Sequence, residues 1–316
     1  MRPSTRAALP VAALAAALLV AAPPALAEEL PPIHFVSVLG ELNDDGGGAA
    51  SASVDLGLGP ATRLDASVGY ASALDENGVD TTRAGAGLAR EGERYRARLG
   101  AFWWEDPDVL EATGVEASLR LRGERLWFEI DGEWRRNDFA SFDADTRVRL
   151  RDRELLVRAR ASCSVDGGGL GARLGVDAGP WSLHLGGMEY AWDDADCAFD
   201  APGLERLART GRDAFVQLAA GLTDRLANTA LGWVNRNAAL LDHRWEAGVA
   251  RDAGPARLGL DLQRARERFL GEDFDVVSLS VGVELGLGTF LDGYVGWSMG
   301  ADQEVGFAGL MWTRAL

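Results

Sequence analysis

The feature that most constrains this chain is a strict alternation of charged and apolar residues, which is clearest in the stretch RYRARLGAFWW at 94–104. Arg96 and Arg98 fall on one parity of this stretch, and Leu99 and Trp103 fall on the other. Successive side chains of a β-strand point to opposite faces, so the stretch predicts a strand with one charged face and one apolar face. The same alternation returns later in the chain with acidic residues in place of the arginines.

Alternation and turn residues together divide the chain after residue 27 into about 18 segments of roughly ten residues, each predicted to be a strand. The predicted strands are 33–42, 49–58, 63–72, 81–91, 94–104, 113–122, 125–136, 145–151, 153–163, 168–178, 181–192, 213–222, 226–237, 241–251, 256–266, 274–286, 289–299 and 304–314. The sequence RVRLRDRELLVRARA within 145–163 fits either one long strand or two, so about 16 strands is the alternative prediction.

The connections between these segments alternate in length. Tight turns are predicted at 59–62, 91–93, 122–125, 178–181, 223–226 and 252–256, and longer acidic loops at 73–80, 105–114, 137–145, 193–213 and 268–275. Short turns at one end and longer loops at the other are typical of a transmembrane barrel. The loop 193–213 has two alternatives: it folds inward as a constriction, or it stays outside as a solvated surface loop.

An apolar parity recurs in segment after segment; for example, Leu258, Leu260 and Leu262 alternate with Arg257 and Asp261. A soluble antiparallel sheet also alternates, but a sandwich must bury its apolar faces in one core, and this many thin faces would make an awkwardly large one. In a closed membrane barrel, lipid covers the apolar face and no strand edge is left unpaired. We therefore predict an all-β, transmembrane antiparallel up-and-down β-barrel, with no separate soluble domain.

The N-terminal residues 1–27 have the pattern of a cleaved secretory signal peptide. Arg2 and Arg6 precede an apolar run at 7–22, and Ala-Leu-Ala at 25–27 has the form of a cleavage site. Cleavage would move the formal charge of the chain from -16 to about -18. An acidic chain of this kind argues against nucleic acid as a partner, because the phosphates would repel it.

Residues 28–316 resemble the bacterial outer-membrane β-barrel class and, within it, the porin-like channels. The resemblance rests on architecture and not on a family motif. It implies a place in the outer membrane of a Gram-negative bacterium, contact with outer-membrane lipid and lipopolysaccharide, and insertion by the barrel-assembly machinery; a homo-oligomer is left open. Barrels of this class usually end on an aromatic residue, whereas this chain ends on Leu316, with Trp312 close to the end.

The charged parity is predicted to line the lumen of the barrel. The predicted lumen residues are Arg94, Arg96, Arg98, Arg120, Arg122, Glu129, Asp131, Glu133, Arg147, Arg149, Arg158 and Arg160. A wall of arginines with an acidic strand inside it resembles the charged lumen of porins and would filter ions or small polar solutes. In the alternative, arginines and carboxylates pair across strands and fill the interior.

The favoured function is a passive channel for ions or small hydrophilic solutes, in which the Arg-lined constriction favours anions. The runner-up is a structural or export-accessory barrel with a charge-filled lumen. A lipid-modifying hydrolase comes third. Ser182 and His184 share a strand face, but residues i and i+2 of a strand lie about 6.6–6.8 Å apart, which is too far for a direct hydrogen bond. No catalytic residue is therefore assigned.

Cys163 and Cys197 are the only two cysteines of the chain. Two cysteines in an exported protein most simply form one disulfide, which we place at the end of the barrel that carries the longer loops. Neither cysteine lies near a second Cys or a His in the sequence, so no metal site and no cofactor is predicted.

Overall fold

The computed structural model describes residues 34–44, 46–59, 61–72, 80–107, 109–150, 153–200, 240–268, 271–286, 288–300 and 304–316, with side chains at all of these except 144–150 and 153–158. The predicted signal peptide at 1–27 and the predicted strands at 213–222 and 226–237 lie outside the described residues. Within these ranges, no helix has the length and apolar character needed to cross a membrane.

All elements of the described chain are β-strands, and every pairing between them is antiparallel. The strands are β1 (Phe35–Asn43), β2 (Gly48–Gly57), β3 (Thr62–Ser72), β4 (Asp80–Glu91), β5 (Tyr95–Asp106), β6 (Leu110–Arg122), β7 (Leu126–Phe139), β8 (Phe142–Leu150), β9 (Arg153–Ala178), β10 (Trp181–Trp192), β11 (Asp196–Asp200), β12 (Leu241–Ala253), β13 (Ala256–Glu267), β14 (Asp273–Gly286), β15 (Thr289–Met299) and β16 (Glu304–Ala315).

The sheet closes on itself as a barrel. The ring runs from β1 to β7, then through β9, β10 and β12 to β16, and β16 pairs with β1 from Phe35↔Ala315 to Asn43↔Phe307. It contains 14 strands, because β8 and β11 lie outside it. The prediction of 18 barrel strands is therefore not confirmed, whereas the alternative of 16 strands agrees with the total in the described sheet.

One cause of the overcount is a run of glycines in the longest strand. The sequence analysis divides 153–178 into two strands, but β9 is one continuous strand of 26 residues. Gly167 and Gly168 lie inside it without a left-handed backbone, and a Cβ at Gly167 would come within 2.3 Å of the Trp192 ring. The glycines thus make room for a neighbouring side chain instead of forming a turn.

Short connections mark one end of the barrel, which we call the turn end. The tight turns predicted at 59–62, 91–93, 122–125, 178–181 and 252–256 are confirmed there, while 223–226 lies outside the described residues. Gly179 and Gly254 adopt φ of 62° and 68° in two of these turns, a conformation that glycine adopts without steric cost. Leu316 donates a backbone hydrogen bond of 2.7 Å to the His34 carbonyl, so both described termini lie at this end.

At the opposite, loop end, the strands run further than the sequence analysis predicts. β6 already begins at Leu110 and β7 continues to Phe139, so most of the loops predicted at 105–114 and 137–145 is strand. β9 pairs with β7 only from Ser164 onward. Its preceding residues pair with β8 on one side and β11 on the other.

We call this three-stranded sheet of β8, residues 153–163 and β11 the extension. At about 3.4 Å per residue, 153–163 alone span about 35 Å. Its buried residues join those of the rim in one apolar cluster, formed by Leu110, Phe139, Ala159, Ala161, Cys163, Val165, Trp192 and Leu240. The extension is therefore packed against the loop end of the barrel.

The two faces of the barrel wall separate as the alternation predicts. Large apolar side chains such as Leu174, Leu262 and Trp297 remain 46–53 % exposed on the outer face. Lipid is the natural partner of such a continuous apolar band. The opposite parity points into the lumen, where the charged residues lie.

Candidate functional site: the charged wall of the lumen

Strand register places the predicted charges in rows around the lumen. Arg96 is the cross-strand partner of Arg120, Arg120 of Glu129, and Glu129 of Arg173, so four charged residues follow one another on β5, β6, β7 and β9. A second row, one step nearer the loop end, contains Arg98 and Asp131. These rows arise because cross-strand partners of an antiparallel sheet share a face.

Arg98 forms a fork between two carboxylates. Its Nη2 and Nε donate to Asp65 at 2.7 and 3.0 Å, and its Nη1 donates to Glu116. Asp65 lies on β3 and Glu116 on β6, so the guanidinium of Arg98 on β5 joins three strands of the wall and crosses β4. Two-point binding of a carboxylate holds the planar guanidinium in a fixed orientation.

Glu129 is the centre of a second group of ion pairs. Its Oε2 accepts hydrogen bonds from Arg120 Nε at 2.8 Å and from Arg173 Nη1 at 3.4 Å, and Arg173 Nε also donates to Glu246. The guanidinium of Arg120 also lies 4.5 Å above the Trp127 ring. Glu129 is only 8 % exposed, so removing it would leave Arg120 without a carboxylate partner and Arg173 with Glu246 alone, in a poorly hydrated place.

A third group of charges lies near the turn end. The Glu91 carboxylate lies 3.5 Å from Arg63 Nε and 3.2 Å from Arg96 Nε, and Arg63 Nη1 lies 3.4 Å from Asp55 Oδ1. A cavity of about 190 Å³ beside this group is lined by Arg96, Arg120 and Arg122, among others. These side chains are partly exposed, so each pair contributes on the order of 0–1 kcal/mol to stability.

Glycines of the wall allow the long side chains to lie flat. A Cβ at Gly87 would come within 2.7 Å of Arg98 Nη2, and one at Gly186 within 3.1 Å of Arg173 Cγ. Gly175 is covered in the same way by the Trp127 ring. The sequence analysis missed this function of the glycines, although their alternation with charged residues is a visible signal.

The inward arginines of the described strands are confined to one part of the wall. β14, β15, β16, β1 and β2 contain a single arginine, Arg314, which shares the outward parity of Trp312. The inward parity of these strands carries mainly small, hydroxyl or apolar side chains, and its acids are Glu41, Asp55, Glu284 and Asp292. Of these acids, Asp55 lies 3.4 Å from Arg63 on the neighbouring strand β3. We call these five strands the Arg-free arc, and β3 to β13 of the ring the Arg-bearing arc.

Four predicted lumen residues lie on strands outside the closed ring. Arg147 and Arg149 belong to β8, and Arg158 and Arg160 belong to the part of β9 that precedes its pairing with β7. All four are therefore in the extension and not on a strand of the ring. Their parity is correct for a strand, but parity cannot distinguish a strand of the ring from one that runs beyond it.

The other predicted lumen residues lie on the ring or at its turn end. Arg94 and Arg122 lie at the turn between β4 and β5 and at the end of β6, and both are exposed. Asp131 and Glu133 line a cavity of about 170 Å³ together with Arg98 and Arg173. Several charged residues of the same wall were not predicted: Arg63, Asp65, Arg83, Glu116, Arg135, Arg173, Arg244 and Glu246. Arg83 and Arg173 have glycine two residues away on the same strand face, at Gly85 and at Gly171 and Gly175, so neither belongs to a run of charge.

The predicted disulfide is confirmed. Cys163 and Cys197 are direct cross-strand partners on β9 and β11, with their Cα atoms 4.1 Å apart. The bond fixes β11 to the extension, so the first part of the predicted loop 193–213 follows the extension. The rest of that loop, from residue 201, lies outside the described residues.

The serine and histidine that were considered for hydrolysis have separate partners. The Ser182 hydroxyl donates to Asp177 at 2.8 Å, and His184 Nε2 lies 3.8 Å from Asp261. Both acids lie on other strands than the serine and the histidine. The arrangement does not direct the histidine towards the hydroxyl, as a nucleophile and its base require.

Comparison with known proteins supports the fold. No family model matches the chain, and no curated protein sequence matches it. Among solved structures, the CymD monoaromatic hydrocarbon channel is similar over 90 % of this chain and 88 % of its own, with 7 % identity and a TM-score of 0.54. A loop-deletion mutant of OmpT from Vibrio cholerae has 9 % identity over 90 % and 98 % of the two chains, with a TM-score of 0.41.

OpdK of Pseudomonas aeruginosa, solved with vanillate, gives 11 % identity over 90 % and 98 % of the chains, with a TM-score of 0.40. At these identities the likeness concerns the fold alone. The closed ring, the exposed apolar band and the likeness to CymD agree: this chain is an antiparallel β-barrel of the outer-membrane type, as its sequence resemblance implies.

Proposed function

We propose that this protein is a passive channel of the outer membrane for small hydrophilic solutes and ions. The observation that carries the proposal is the direction of its ion pairs. Arg98 reaches Asp65 and Glu116, and Arg173 reaches Glu129 and Glu246; each pair joins strands that are neighbours or next neighbours in the ring. Among the described residues, the inward pairs run along the wall and leave the lumen between the two arcs unbridged.

The wall glycines support the same proposal. Long side chains that lie over Gly87, Gly175 and Gly186 occupy the space of the missing side chains instead of the lumen. In this arrangement, fixed charges face a water-filled passage, which is the condition for ion selectivity. Acids and arginines alternate along the Arg-bearing arc, whereas the Arg-free arc presents acids without inward arginines. We propose that this difference produces an electric field across the lumen, and that the field favours anions beside the arginines.

A second candidate is a structural barrel with a filled lumen. The burial of Glu129 between Arg120 and Arg173 favours it, because such a junction is typical of a packed interior. The ring of 14 strands is also smaller than the 16–18 strands of porins with a wide aqueous channel. Location in the outer membrane, contact with lipopolysaccharide and insertion by the barrel-assembly machinery belong to both proposals.

Single-channel recording in a planar bilayer tests the proposal. The full chain should give discrete conductance steps, and Arg98→Glu should change both the step size and the ion preference. Arg264→Gln is the matched control, because this arginine lies on the outer face and binds Asp273 at 2.8 Å. A folded barrel that stays electrically silent under all salt conditions would support the filled lumen instead.

A further inference from the structure

A cavity of about 570 Å³ lies inside the barrel towards its loop end. Its lining reaches from β4 and β5 on one side to β12, β13 and β14 on the other, so it lies across the path of any solute. Four aromatic side chains contribute to its surface: Phe102, Trp104, Tyr190 and Phe274. The volume falls within the range of sites for small ligands, about 300–1,000 Å³.

Three arginines line the same cavity, and their charges are less compensated than those nearer the turn end. Arg83, Arg135 and Arg244 have no carboxylate within 4.0 Å among the described side chains. This contrasts with the wall below, where each arginine of the Glu129 group has a carboxylate partner. The guanidinium groups of these three arginines are thus available to an incoming anion.

Arg135 is held ready for such a contact. Its guanidinium lies 4.5 Å above the Trp192 ring, which stacks on Tyr190 with ring centres 6.0 Å apart. Its Nε is buried and has no hydrogen-bond partner. A buried N–H without an acceptor costs free energy, and an anionic ligand would supply the acceptor or reorganise the group.

Three carboxylates also line the cavity: Glu133, Glu267 and Glu116, of which Glu116 binds Arg98. Among the described side chains, none of them lies within 4.0 Å of Arg83, Arg135 or Arg244. The N–H donors of these arginines can therefore bind the two oxygens of a carboxylate on a ligand.

We propose that this cavity is a binding site for a small organic anion whose body is a flat apolar ring, the chemistry of an aromatic carboxylate. The arginines bind the carboxylate, and the four aromatic side chains contact the ring. The inference rests on the proposed function, since it assigns to the channel a solute that binds on its path. A free inorganic anion would use the arginines but none of the aromatic surface.

Isothermal titration calorimetry on the full chain, folded in detergent, tests the site with benzoate as the probe. Benzoate should bind saturably and about tenfold or more tightly than benzyl alcohol, which has the ring without the charge. It should also bind more tightly than acetate, which has the charge without the ring, and than benzylammonium, which has the opposite charge. Equal affinity for benzoate and benzyl alcohol, or tighter binding of benzylammonium, would overturn the proposal.

Two variants separate the parts of the site. Arg244→Gln should weaken benzoate about tenfold, and Phe274→Ala should reduce the preference for benzoate over acetate. Arg264→Gln, an arginine at the same end but on the outer face, should bind as the unaltered protein does. Unchanged affinity in Arg244→Gln, or equal weakening in Arg264→Gln, would contradict the assignment; heat-dependent gel mobility verifies that each variant is folded.

The outcome of the benzoate-binding experiment does not depend on the outcome of the conductance experiment. A barrel that conducts chloride but does not bind benzoate would refute this site and leave the channel intact. A barrel that binds benzoate but gives no conductance or solute flux in liposomes would refute the channel and leave the site.

Discussion

The two arcs of the barrel wall share one strand geometry but have different chemistry. The Arg-bearing arc has its charges fixed by forks such as Arg98 between Asp65 and Glu116. The Arg-free arc has hydroxyl groups and glycines, and its polar contacts are of the kind formed by Ser37 and Thr313 at 2.9 Å. The difference teaches that one side of the lumen carries a rigid pattern of arginines and acids, while the other presents a few acids among small, hydroxyl and apolar side chains. Each arc can therefore be altered while the other serves as the reference.

The largest effect is expected on stability, from removal of the central acid of the Arg-bearing arc. Glu129→Ala would leave Arg120 without its carboxylate and Arg173 with Glu246 alone. Loss of one partner of a buried ion pair costs about 3–5 kcal/mol. The free energy of unfolding, measured by urea titration in lipid or detergent, should fall by this amount.

Asp292→Ala on the Arg-free arc is the matched control. Asp292 points inward on β15 and has no ion pair among the described residues. Its removal should change the free energy of unfolding by about 0.5 kcal/mol or less. Equal losses in the two variants would mean that the arcs do not differ in how their charges are held.

The second largest effect is expected on ion selectivity, from two substitutions. One removes an arginine from the Arg-bearing arc, and the other adds an arginine to the Arg-free arc. Arg98→Glu places a third acid between Asp65 and Glu116, whereas Ser280→Arg introduces an arginine into the Arg-free arc, where Ser280 points inward. The first should shift the ratio of anion to cation permeability down, and the second should shift it up, each by about tenfold. Reversal potentials in a salt gradient measure both. A shift in the same direction for both variants would contradict a selectivity set by wall charge.

A smaller effect is expected from a single methyl group under Arg98. In Gly87→Ala the new Cβ would lie 2.7 Å from Nη2, and the flexible guanidinium must move away from its fork. Loss of well-packed geometry of this kind costs about 1–3 kcal/mol, and the low end applies because a side-chain end can shift. Conductance should fall as Arg98 is displaced towards the lumen.

Gly40→Ala is the reference for that change. Gly40 lies on β1 in the Arg-free arc, and its Cβ would meet nothing within 4 Å. Conductance and stability should both remain as they are in the unaltered protein. A similar loss of conductance from Gly40→Ala would show that the effect does not come from Arg98.

Local alternation predicted the faces of the wall well, because a strand turns every second side chain to the same side whatever surrounds it. Leu174 and Leu262 are exposed on the outside, and Glu129 and Arg98 lie within, as their parity indicates. The hydrogen bonds of Arg98 with Asp65 could not be predicted from the sequence, since they depend on which strands are neighbours and on the space left at Gly87. Neither is a property of one segment.

The number of ring strands was missed for a related reason. Residues 153–163 alternate as a barrel strand does, yet pairing with β8 and β11 makes them part of the extension. Strand pairing beyond the rim leaves the same pattern in the sequence as pairing within the membrane. Parity alone therefore could not predict that Arg147, Arg149, Arg158 and Arg160 belong to strands outside the ring.

The smallest effect on the comparison of the arcs is expected from the disulfide. Cys163→Ser with Cys197→Ser removes a bond between residues 34 apart in sequence, worth about 3–4 kcal/mol in the chain-entropy model. Because β11 lies outside the ring, this loss should loosen β11 and increase protease cleavage near 196–200, while the ion selectivity set by the arcs stays the same. Limited proteolysis and reversal potentials on one preparation measure the two effects. If selectivity moved as far as it does in Arg98→Glu, the extension would have to be counted as part of the conducting path, and the comparison of the arcs alone would not explain the filter.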